Sequence, residues 1–201
     1  METDLAAPDQ TVPSGRPRDP RIDRAVLRAA AELVVEQGYA DVTIAAIAER
    51  AGTTKPSVYR RWPSKAHLVH EAVFPTQTST SLPHTGTLAG DVREMLRRTA
   101  AAFAEPAARA AIPGLLAAIA AEPTLHTALL ERFQDGVWGA LHDRLVEAVD
   151  AGEVRPGLDP GALLEVIAGA SLMALLIRST DQLDEAWVGH TADLLTKGIA
   201  P

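Results

Sequence analysis

Arg50–Lys65 reads RAGTTKPSVYRRWPSK. It holds five cations (Arg50, Lys55, Arg60, Arg61 and Lys65) and no acid, in a chain whose formal net charge is -7. An acidic protein with one short, purely basic segment is equipped there for an anionic partner. The segment also has the grammar of two helices joined by a tight turn. Gly52 supplies a left-handed turn residue, Thr53 or Thr54 caps the second helix, and Pro56 is tolerated in a first helical turn. Val58 and Trp62 lie four apart and share one buried face.

Working outward, Ile44 to about Ala51 forms the preceding helix, capped by Thr43, with Ile44, Ile47, Ala48 and Ala51 inward. Upstream, Pro20 to Gln37 carries Ile22, Val26, Ala29, Ala30 and Leu33 at helical spacing, capped by Asp19 and stopped by Gly38. Downstream, Pro63 ends the reading helix and Ser64 caps a fourth that runs toward Phe74. Residues 1–19 are rich in Pro, Asp, Thr and Ser and read as a disordered arm ending in Gly15-Arg16-Pro17-Arg18, basic enough to enter a minor groove.

Residues 75–88 (PTQTSTSLPHTGTL) read as a linker. Beyond it, helices are expected over 89–104, 107–121, 124–151, 160–179 and 184–197. Breaks are expected at Pro106, Pro113, Pro123, Gly152 to Pro160 and Ser179 to Asp184. No strand pattern or internal repeat is present. The organisation is therefore an arm (1–19), a helix-turn-helix domain with a connecting helix (20–74), a linker (75–88) and a helical domain (89–201).

Composition agrees. Apolar residues make up 47 % and aromatics only 4 %, so Ala, Leu, Val and Ile must fill the core, which suits helices. There are no cysteines, hence no disulfides and no thiolate zinc site. Residues 14–70 hold ten Lys/Arg against six Asp/Glu, whereas residues 76–201 hold nine against sixteen. A basic front and an acidic back imply two tasks. No signal-peptide pattern opens the chain, and Leu163–Ile177, with Glu165 inside it, falls short of the ~20 residues of a membrane span. A cytoplasmic protein is expected. No phosphate loop, nucleophile elbow or His/Asp/Glu cluster is present, so no enzyme activity, cofactor or metal is expected.

In a helix-turn-helix the second helix enters the major groove and shows its N-terminal residues to base edges. Here those are Lys55, Pro56, Ser57 and Arg60, with Thr54 at the cap. Tyr59 can reach a phosphate, and Thr43 and Lys65 can clamp the backbone from either side. Arg61 is open to DNA or to an acid within the domain.

The run from Val42 to Lys65, VTIAAIAERAGTTKPSVYRRWPSK, closely resembles the DNA-binding signature of the TetR family of transcriptional repressors. A Thr precedes an apolar helix ending in Ala-Gly. A short helix with a Tyr, an aromatic and a closing Lys come after it. The resemblance covers about Arg21 to Phe74, and residues beyond share the family's length and all-helical plan. It implies phosphate contacts from Thr43, Tyr59 and Lys65, and groove-facing positions for Lys55, Pro56 and Ser57. Trp62 fills a core slot that more often holds Phe. Ala45 stands where some relatives carry a base-reading Arg.

The helix over 160–179 is apolar nearly all round, so it must be covered on every side. Leu164, Ile167, Leu172 and Leu175, with Trp187, Leu194 and Leu195 of the last helix, are expected to meet their symmetry mates in a homodimer. Such a dimer sets two reading helices ~34–36 Å apart on a near-palindromic operator. The resemblance further implies a small-molecule pocket among the middle helices. Its candidate lining is Met95, Phe103, Leu115, Leu116, Ile119, Phe133, Val137, Trp138 and Leu141, apolar walls that fit a small hydrophobic effector. The implied function is a repressor released from double-stranded DNA by that effector, with the fourth helix as transmitter. The alternatives are a helical carrier or enzyme with an incidental basic patch, or an activator of the same fold.

Overall fold

The computed structural model describes residues 19–75, 83–125, 127, 139–178 and 183–199. They form α1 (Pro20–Asp41), α2 (Ile44–Arg50), α3 (Lys55–Tyr59), α4 (Lys65–Val73), α5 (Leu88–Ala104), α6 (Pro106–Ala121), α7 (Gly139–Asp150), α8 (Pro160–Ile177) and α9 (Glu185–Ile199), with no strand among them. The basic-ended arm of residues 1–18 lies outside the described residues.

Local signals set most of the boundaries. The Asp19 carboxylate accepts from the Arg21 amide, and the Thr43, Thr54 and Ser64 hydroxyls accept from amides of α2, α3 and α4. Such caps are worth about 1 kcal/mol each. Gly38, at φ +78°, breaks the helical path, but one further turn reaches Asp41, past the expected stop. Pro113 does not break α6. Its ring is exposed, while Ala111 and Leu115 on either side are buried, so packing outweighs the missing N–H.

Two apolar cores organise the chain. The first joins α1 to α4 through Val26, Ala30, Val34, Ile47, Val58, Trp62, Leu68 and Val69. Ala111 and Leu115 of α6, and Leu125, complete it. The second gathers Leu88, Val92, Met95 and Leu96 of α5 with Leu141 and Leu145 of α7, Leu163 and Ile167 of α8, and Val188 and Ala192 of α9. The boundary expected at residues 75–88 therefore does not separate the cores. α6 lies beyond that linker in sequence yet packs on α1 and α4. Its apolar face is met by helices far upstream of it, across the linker, which periodicity does not reveal.

In the second core, Arg144 Nε donates to Asp91 Oδ2 at 2.6 Å, and Asp91 also accepts from the Thr85 amide at 2.7 Å and its hydroxyl at 2.8 Å. Glu153 accepts from the Leu88 amide at 2.6 Å and faces Arg144 Nη2 at 3.7 Å. Burial opposes ionisation of Asp91, but these donors outweigh it and hold the carboxyl below its ordinary value. The start of α5 is thus fastened to α7 and to the turn after it.

α8 is apolar nearly all round, with Glu165 its one charged residue and a mean hydropathy of 1.9 over 18 residues, and by length and composition alone could cross a membrane. It packs on α5 instead, through Leu163, Ile167, Ser171 and Ala174. Its other face leaves Val166, Met173, Leu176 and Ile177 exposed, and Leu194 of α9 is 73 % exposed.

Candidate nucleic-acid interface

The turn between α2 and α3 begins where the Ala51 and Gly52 amides close on Ile47 and Glu49 carbonyls. Gly52 then takes φ +65°, which a side chain would resist. The Thr53 amide returns to the Ala48 carbonyl at 2.9 Å. Thr54 Oγ1 accepts from the Ser57 amide, and Pro56 stands in the first turn of α3, where its missing N–H does no harm. Val58 and Trp62 anchor the helix in the first core, and Trp62 Nε1 donates to Glu71 Oε2 of α4 at 2.9 Å.

That anchoring decides which side chains face outward. Lys55, Pro56, Tyr59 and Arg60 are exposed, Tyr59 at 53 %. Thr43 and Thr54 are exposed while their hydroxyls cap α2 and α3. Thr54 thus starts a short helix whose exposed side carries Lys55 and Tyr59, with Arg60 just beyond it.

The remaining basic residues of the segment are engaged within the fold. Arg61 donates from Nε to Asp23 of α1, and from Nη1 to the Ser57 carbonyl and hydroxyl at 2.9 Å each. Ser57 is thereby buried, and its hydroxyl also receives Arg60 Nη2 at 3.4 Å. Ser57, expected to face the groove, is buried instead, and its hydroxyl oxygen accepts from two guanidinium groups. Arg50 Nη1 meets Glu36 Oε1 at 2.5 Å, which lowers the Glu36 pKa chiefly through the hydrogen bond.

Lys65 is held most fully. Its Nζ donates to the Tyr39 carbonyl at 2.9 Å and the Ala40 carbonyl at 3.3 Å, and lies 4.4 Å from the Tyr39 ring centroid. Burial lowers its pKa, with Asp41 opposing. Asp23, Glu36 and Tyr39, the partners of these cations, are site residues that the sequence does not disclose. They lie 14 to 38 positions away, and nothing local marks the pairing.

The expected effector-pocket residues divide between the cores. Leu115 and Ile119 belong with the N-terminal helices, whereas Met95 and Leu141 are buried in the second core. Phe103 meets Phe74 edge-on at 5.7 Å, Leu116 is exposed, and Phe133, Val137 and Trp138 lie outside the described residues. A concavity of about 440 Å³, open to solvent, lies elsewhere, against Arg178, Trp187, His190 and Leu194. Of the expected dimer residues, Ile167 is a core residue at 2 % exposure. Leu164, Trp187 and Leu195 pack partly on the second core, Leu172 and Leu175 are half-buried, and Leu194 projects outward.

Known proteins share this arrangement over most of the chain. Residues 26–72 match "Bacterial regulatory proteins, tetR family", and residues 82–195 match "Tetracyclin repressor-like, C-terminal domain". The chain is 28 % identical over 186 residues to the HTH-type transcriptional regulator YdeS of Bacillus subtilis (strain 168), covering 92 % of this chain and 93 % of that one. It is 29 % identical over 174 residues to a DNA-binding transcriptional repressor TetR of Mycobacteroides abscessus, covering 84 % and 88 %. The crystal structure of the TetR family transcription regulator SCO0332 superposes with a TM-score of 0.65 at 26 % identity, over 90 % of this chain and all of that one.

Proposed function

The chain belongs to the tetR family of bacterial regulatory proteins, and from that premise we propose that it is a cytoplasmic repressor that occupies a near-palindromic operator as a homodimer. The observation that carries the reading is the exposed strip of Lys55, Pro56, Tyr59 and Arg60 on a short helix presented by a glycine turn. Lys55 and Arg60 fit guanine edges, and Pro56 fits thymine methyl groups. Thr43 and Tyr59 fit phosphates and fix register. Arg61 and Ser57 support this strip from behind.

The repressor assignment takes support from the M. abscessus relative, whose name says that it represses transcription. Dimerisation is supported by the outward face of α8. Val166, Met173 and Leu176 recur at helical spacing, with Ile177 beside them and Leu194 of α9 exposed too. A second copy of the same face would cover them, as closed two-fold symmetry requires. An effector enters through population shift. It releases DNA by binding more tightly to a form whose reading helices are wrongly spaced, and DNA must then weaken effector binding by the same factor. Met95 of α5 and Leu141 of α7 would give an effector site apolar walls, which suit a hydrophobic molecule.

The test is a titration of duplex DNA with purified protein at several salt concentrations. A steep fall of log affinity with log salt, with weaker binding and a slope flatter by at most about one unit in Tyr59→Ala combined with Lys55→Ala, is the expected result. Salt-insensitive or absent binding sinks the proposal.

A further inference from the structure

Lys65 stands where sequence places a phosphate clamp, yet its ammonium group is turned inward. Two of its three N–H groups serve the Tyr39 and Ala40 carbonyls, and the Tyr39 ring face covers it at 4.4 Å. Those carbonyls belong to the last turn of α1, beyond the Gly38 break, where a cation is favoured by the exposed helix dipole. Lys65 is also the first residue of α4. One side chain therefore joins the end of α1 to the beginning of α4.

The Tyr39 ring is held in turn by α6. It lies against Gly114, where a methyl group would collide with ring atoms Cγ, Cδ1 and Cε1. Only a residue without a side chain lets α6 come this close. Near the end of the same helix, Glu122 Oε2 accepts from the hydroxyl of Ser64, the cap of α4, at 3.4 Å. α6 thus reaches both residues that start α4. Upstream it is joined to α5 across Glu105 alone, at an angle of 87°, and α5 belongs to the second core. Downstream, α4 carries α3 through Glu71 and Trp62.

We propose that Lys65 is a positioning residue, not a phosphate contact, and that the Gly114–Tyr39–Lys65 stack couples the C-terminal helices to the seating of the reading helix. This rests on the DNA-binding reading above and adds the route by which α6 sets the aim of α3. A phosphate contact and a positioning contact differ in one measurable way. Removing a cation that neutralises a phosphate flattens the salt dependence by about one unit, whereas removing a positioner lowers affinity at unchanged slope.

The experiment uses the full chain and three variants, Lys65→Met, Gly114→Ala and the double substitution. The probe is a duplex selected from random-sequence DNA by the parent protein, titrated across a salt series, with amide exchange followed at residues 65–69. Each single variant should bind about tenfold more weakly with the parent's slope, the size expected for one lost cation–ring contact. The double should be no more than about twofold worse than Lys65→Met, and Gly114→Ala should speed exchange in the first turn of α4. If Gly114→Ala does not fold, Tyr39→Leu takes its place. A slope flatter by about one unit in Lys65→Met, additive losses in the double, or parent-like binding by Gly114→Ala overturns the proposal. If the parent binds no duplex, the reading of the interface falls instead, while the exchange at α4 still decides the coupling.

Discussion

Asp23 on α1 holds Arg61 at the end of α3, across 38 positions of chain. With 12 % of the Arg61 side chain exposed, the pair both fixes the reading helix on α1 and withholds one cation from the DNA face. Asp23→Asn should therefore do two things. Loss of the partner of a largely buried guanidinium should destabilise the protein by about 1 to 3 kcal/mol, read by urea melting. Binding to mixed-sequence duplex should steepen in salt dependence by up to about one unit as Arg61 becomes free to reach a phosphate. A slope equal to or flatter than the parent's removes the second effect.

Lys55 and Ser57 stand two residues apart and should behave in opposite ways. Lys55→Ala removes an exposed cation and should relax preference at one base position, at a cost of about 1 to 3 kcal/mol in discrimination. Ser57→Ala removes a buried acceptor for Arg61 and should lower stability by about 1 kcal/mol while leaving the base-by-base profile intact. A profile altered by Ser57→Ala and indifferent to Lys55→Ala reverses the assignment.

The sequence shows the front of the protein well because its signals are local. Asp19, Thr43, Thr54 and Ser64 announce helix starts within three residues of the amides they cap, and Gly52 marks the turn. The strip at Lys55, Tyr59 and Arg60 emerges once Val58 and Trp62 are known to point inward. What stays hidden depends on distant partners. Asp23 and Tyr39 take Arg61 and Lys65 out of the exposed set, and α6 joins the first core although the flanking helices α5 and α7 join the second. In α8, apolar residues nearly all round give no preferred side. Sequence alone ranks Ile167 no deeper than Val166, and only the packed structure separates the core residue from the exposed one.

The exposed face of α8 yields a third expectation. Charge placed there, as in Met173→Asp combined with Ile177→Asp, should leave the α5–α8 core intact, because neither side chain is buried. Sedimentation should then show a folded monomer at micromolar concentration where the parent should run as a dimer, with affinity for a two-half-site duplex falling at least about tenfold. A variant that sediments as the parent does moves the interface elsewhere.

Acid sensitivity should trace to Asp91. Its folded-state pKa is depressed, since the Thr85 and Arg144 donors outweigh burial. The stability it contributes is complete above the ordinary aspartate value near 4 and is lost as pH falls through its lower folded value. Asp91→Asn leaves Arg144 buried beside a neutral partner and should cost about 3 kcal/mol at neutral pH. The variant should lose less stability than the parent as pH falls below about 4, measured as urea midpoints. Parallel curves for the two proteins would count against this.

Dimeric occupation of a palindrome is tested most directly by selecting bound fragments from random-sequence DNA with the purified full-length protein, then measuring the mass of the complex on the winning duplex. The expected outcome is a near-palindromic site with half-site centres one helical turn apart or a small multiple of it, bound by an even number of chains. No enrichment at low salt, or a single asymmetric site bound by one chain, would contradict it.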